Sequence, residues 1–60
     1  MKLVDTNKTD QAHITIRTYT HNGMEAVVYT INDTKASQCI FNGVEYSGTL
    51  QEVVKAIKTT

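Results

Sequence analysis

Two runs rich in apolar, β-branched and aromatic residues, Ile14 to His21 and Met24 to Ile31, lie on either side of Asn22-Gly23. Asn-Gly between β-branched or aromatic runs is a strong hairpin signal, because a two-residue type I′ turn needs φ > 0 at both central positions. Centring the loop there sets His21 opposite Met24, Thr18 opposite Val27, Ile16 opposite Tyr29 and Ile14 opposite Ile31. Directly opposed residues share a face of an antiparallel ladder. The face of Ile14, Ile16, Val27, Tyr29 and Ile31 is then almost wholly apolar, and the pattern predicts that it turns to the core. The opposite face pairs His13 with Asn32, Thr15 with Thr30, Arg17 with Val28, Tyr19 with Ala26 and His21 with Met24, and is expected to look outward.

A second Asn-Gly pair, Asn42-Gly43, predicts a second hairpin with Phe41 opposite Val44, Ile40 opposite Glu45 and Cys39 opposite Tyr46. Phe41, Val44, Cys39 and Tyr46 fall on one face, and Gln38, Ile40, Glu45 and Ser47 on the other. A short helix over 34–40 competes with the first strand of this hairpin, since Ala36, Cys39 and Ile40 have helical spacing. So short a helix is marginal in water, and the turn signal favours the strand. The period then changes. Thr49-Leu50-Gln51-Glu52 matches a capping box, and Leu50, Val53, Val54 and Ile57 follow as one apolar stripe. Gly48 supplies the bend out of the strand.

Residues Asp5 to Gln11 are polar without periodicity and read as a loop, while Lys2-Leu3-Val4 suits at most a short edge strand. Proline is absent, so nothing demotes the strands. The expected fold is α+β: a small antiparallel sheet of four or five strands built from two Asn-Gly hairpins. One face is covered by a C-terminal amphipathic helix, all within a single domain over residues 1–60.

Size bears on function. A 60-residue chain buries only about 60% of the surface that its unfolded form exposes, so its own core is marginal. Small folds compensate with disulfides, a metal or self-association, and the single cysteine, Cys39, excludes an internal disulfide. Self-association, as a homodimer or higher oligomer, is therefore expected. Six Lys/Arg balance six Asp/Glu, which gives no basic excess for phosphate contacts and disfavours nucleic acid and membrane surfaces as partners. No apolar run has the length of a signal peptide or membrane helix. The expected location is the cytoplasm, where a lone thiol stays reduced.

The residues that could carry chemistry do not converge. His13 and His21 share a face but stand eight strand residues apart, about 26 Å at ~3.3 Å per residue. Cys39 is expected beneath the helix beside Tyr46, as an inert core thiol. The carboxylates are scattered, and the three glycines are spaced for turns and match no phosphate-cradling motif. Neither an enzyme, a metal site nor a cofactor is expected.

What remains is the outward face of the first hairpin. It would carry Arg17, Tyr19, His21, Met24 and Val28, a mixture of types enriched at protein contacts. Those five are the expected interface, with Ile40 placed on the same side. The function that follows is a non-catalytic protein-interaction module that binds and modulates or inhibits a host or cellular protein. In general style the chain is similar to small phage or mobile-element accessory proteins, a likeness that rests on no motif. The alternative is an oligomer that sequesters a small molecule or nucleotide between subunits, with Arg17, His13 and Tyr19 supplying charge, hydrogen bonding and stacking.

Overall fold

The computed structural model describes residues 1–9 and 13–59. Five antiparallel strands, β1 (Lys2–Thr9), β2 (Ile14–His21), β3 (Met24–Ile31), β4 (Ala36–Phe41) and β5 (Val44–Thr49), are followed by helix α1 (Leu50–Lys58). The strands form one meander in the order β1-β2-β3-β4-β5, so every neighbour in the sheet is a neighbour in sequence.

Both Asn-Gly turns have the expected backbone, with φ of 54° and 77° at Asn22-Gly23 and 53° and 78° at Asn42-Gly43. Both hairpins therefore pair in the register that the turns dictate, from His21↔Met24 to Ile14↔Ile31 and from Phe41↔Val44 to Ala36↔Thr49. Residues 36–41 are strand, not helix. The helix opens as the motif requires: the Glu52 N–H donates to Thr49 Oγ1 at 3.2 Å, and the Thr49 N–H donates to Glu52 Oε1 at 3.0 Å. Gly48, at φ 141°, makes the bend into it, and a Cβ there would lie 3.2 Å from Glu52 Oε1.

Two expectations are corrected. Asp5 to Thr9 are strand: β1 runs the length of β2 with Val4 as a bulge between the pairs Leu3↔Tyr19 and Asp5↔Thr18. An edge strand draws its hydrogen bonds from one neighbour and needs no apolar alternation, so its sequence gives no periodic signal. Residues 10–12, the remainder of the expected loop with Gln11, lie outside the described residues.

The larger correction concerns the faces. The core consists of Ala26, Val28, Cys39, Phe41, Val53 and Ile57, with Met1, Tyr19, Tyr46 and Leu50 packed against it. The helix thus sits on the side of Val28, and the apolar side of Ile16 and Tyr29 is open. The cause is the four-residue turn Asn32–Lys35, closed by the Lys35 N–H donating to the Ile31 carbonyl at 2.7 Å. It sets Ile31 opposite Ala36 and Val28 opposite Cys39, so the Cys39–Phe41 face continues the Ala26–Val28 face. A turn one residue longer or shorter would have joined it to Val27 and Tyr29 instead, because the side-chain period is two.

Candidate functional site

The five residues expected to form an outward interface do share a face, but it is the face that carries the helix. Val28 is fully buried in the core. Tyr19 is half-buried against the core cluster, and the half-buried His21 sets its ring 5.9 Å from that of Phe41. Arg17 Nη1 donates to Thr30 Oγ1 at 3.2 Å. Thr30 is itself buried, bonded to Ser37 Oγ at 2.7 Å, and Thr15 donates to Asn32 Oδ1 at 2.8 Å. Small hydroxyls thus fill this end of the helix-side layer where larger apolar groups fill the other. Only Met24, 40% exposed, keeps the outward character expected of the set. Ile40 lies on the opposite side from Val28, because its partner is Glu45 and its neighbour Cys39 faces the helix.

The surface that the fold leaves uncovered is the one whose pattern looked like a core. Its rows can be read across the sheet from the registers. One row runs Asn7, Ile16, Tyr29, Gln38, Ser47. Toward the 32–35 turn lie Ile14, Ile31 and Ala36, and on the other side Asp5, Thr18, Val27, Ile40 and Glu45. Tyr29 sits on the central strand in the middle row and is 49% exposed; Ile31 is 45% and Ile40 72% exposed. Ile14, Ile16 and Val27 are half-buried. Two shallow hollows flank the Tyr29 ring, one of about 360 Å³ bounded by Val27, Gln38, Ile40 and Glu45, the other of about 260 Å³ bounded by Ile14, Ile31, Ala36 and Gln38.

The apolar side chains of this face, with Tyr29 and Gln38 side by side at its middle, are bordered by Asp5, Asn7, Thr18, Glu45 and Ser47. Its charge is one-sided. The pairings place one lysine, Lys2, and three carboxylates, Asp5, Glu25 and Glu45, on this face. All four lie in the two rows nearer the Asn22-Gly23 turn. The Tyr29 row and the Ile31 row hold no charged residue among those named.

Chemistry beyond contact is sparse. Among the described residues, no group of three His, Cys, Asp or Glu is placed to hold a metal. Burial pushes the Cys39 thiol up, against a smaller opposite pull from its hydrogen bond with the Val27 backbone. Glu52 is held below the usual carboxylate range first by the Thr49 backbone N–H and then by the Thr49 side chain. Among the described residues no helix is long and apolar enough to cross a membrane. Comparison with known proteins found no matching family model, no similar curated protein and no similar solved structure.

Proposed function

We propose that this chain is a non-catalytic protein-interaction module of the cytoplasm that assembles with copies of itself and modulates or inhibits a partner protein. One observation supports the reading above the others: a five-stranded sheet with a helix on one face leaves an apolar second face open, with Tyr29 at its centre. A plain solvated sheet would carry Lys, Glu and Thr there. Contiguous exposed apolar surface rimmed by polar groups marks a contact site in a soluble domain.

The working residues are then Ile14, Ile16, Val27, Tyr29, Ile31 and Ile40, in place of the Tyr19 side. Tyr29→Ala tests this. Truncating a central aromatic anchor costs about 2 kcal/mol or more of association, roughly 30-fold in Kd. The variant should keep the circular dichroism of the parent, because Tyr29 lies outside the core cluster. An unchanged dissociation constant in a folded Tyr29→Ala protein would remove this face from the function.

A second reading has its own observation. On the helix side a hollow of about 320 Å³ is lined by Arg17, Lys35, Thr30, Asn32, Leu50 and Gln51, two cations with no carboxylate among them. This favours a small anionic ligand held within one chain, not between subunits. Thermal shift with phosphate and with nucleotides tests it, since a ligand at 100 times its Kd adds about 2.7 kcal/mol. Stabilisation that disappears in Arg17→Gln would put this reading first.

A further inference from the structure

We infer that the occupant of the open sheet face is a second copy of this chain, docked face to face and turned end for end. The inference rests on the reading of that face as a contact surface and adds what covers it and in which orientation.

Area argues first. Five strands ~4.8 Å apart and six to eight residues long at ~3.3 Å each give a face of roughly 24 by 22 Å, about 500 Å². Two such faces in contact bury about 1,000 Å² in planar terms, before side-chain relief is added, which is the threshold for a specific interface of ~1,000 Å². A small foreign contact could use only part of this surface and leave the rest wet. A second copy matches its outline everywhere, and stacked sheets pack ~10 Å apart with interdigitating side chains, as the hollows beside Tyr29 permit.

Charge then selects the orientation. A two-fold axis along the strands would lay Asp5 of one copy over Glu45 of the other, acid against acid at both ends of the row. An axis across the strands reverses the rows, so the Asp5–Glu45 row meets the uncharged Ile14–Ile31–Ala36 row. The middle row meets itself, Tyr29 near Tyr29 and Asn7 near Asn7. Asp5 and Glu45 are then no longer laid on one another, and Ile40 of one copy lies over Ala36 of the other. A closed, isologous pair of this kind leaves both helices outside, where a partner protein can reach them.

Sedimentation equilibrium across a dilution series decides the occupant. The parent chain should dimerise, and Ile40→Lys should shift its dimer dissociation constant upward by at least tenfold. Ile40 is 72% exposed, so this variant keeps its fold; a parallel Tyr29→Ser checks the same face. A monomeric parent overturns the inference while leaving the contact-surface reading to the Tyr29→Ala assay on a foreign partner. A dimer indifferent to both variants overturns it too, since the copies then meet elsewhere.

Orientation is read from Asn7, exposed on the middle row. Native mass spectrometry of mixed Asn7→Lys and Asn7→Asp chains should show the heterodimer in excess over either homodimer. Statistical mixing would overturn the end-for-end arrangement.

Discussion

Val27 and Val28 are adjacent on one strand, yet the fold gives them opposite surroundings, so the same substitution at each reads out which face the helix covers. Val28 is 0% exposed, opposite Cys39 and within the cluster that Val53 and Ile57 close. Val28→Thr exchanges a methyl for a hydroxyl of nearly the same shape in a place with no water to bond it. Mutational data put that burial at about 1–3 kcal/mol. Val27 is half-buried on the open face, where a hydroxyl keeps access to water, and Val27→Thr should change monomer stability by no more than about 0.5 kcal/mol.

The difference is large on the scale of the domain. At ~0.05–0.15 kcal/mol per residue, 60 residues carry about 3–9 kcal/mol in all. In a domain this small ~1 kcal/mol moves Tm by about 4–8 °C, so Val28→Thr should melt roughly 5–20 °C below the parent. The assay is thermal and urea unfolding by circular dichroism, repeated down a dilution series so that assembly, which is concentration-dependent, is separated from folding. Equal losses at both positions, or a larger loss at Val27, would refute the reasoning and return the helix to the Tyr29 face.

Four further outcomes follow from the same geometry. Thr49→Ala removes the oxygen that accepts the Glu52 N–H and should cost about 1 kcal/mol of stability by urea unfolding. Because Glu52 is held below its ordinary pKa, its contribution is present above the unfolded value and is lost as pH falls through the folded one. The Tm difference between parent and Glu52→Gln should therefore shrink on acidification; a difference that stays constant would separate the cap from the charge. Cys39, buried with its thiol pushed up, should resist iodoacetamide at mildly alkaline pH until the protein is unfolded in urea. Brisk alkylation of the folded protein would contradict its burial. His21 Nε2 is buried with no hydrogen-bond partner among the described residues, so His21→Phe should leave Tm unchanged or raise stability by up to about 1 kcal/mol. A clear loss would reveal a partner for that nitrogen.

How much of this was legible in the chain differs by element. The hairpins were, because φ > 0 at Asn22-Gly23 and Asn42-Gly43 is a local demand that fixes local register. The helix was, because cap and stripe both lie within ten consecutive residues, Thr49–Lys58. β1 was not. Its polar residues hydrogen-bond as an edge strand without any hydrophobic period to announce it.

The two faces of the first hairpin were visible, but not which of them the helix covers. Ile14, Ile16, Val27, Tyr29 and Ile31 were correctly placed on one face, but an apolar face reads the same in sequence whether the helix or another molecule covers it. What the sequence by itself determined were the pairs within each hairpin and the helix that follows them. Only the tertiary structure decided how the two hairpins are joined. The Asn32–Lys35 turn pairs Val28 with Cys39, and that single choice of parity puts Ala26, Val28, Cys39 and Phe41 under the helix and leaves Tyr29 in the open. Sheet side chains alternate strictly, so a register set by one turn determines for every strand beyond it which face is core and which lies open.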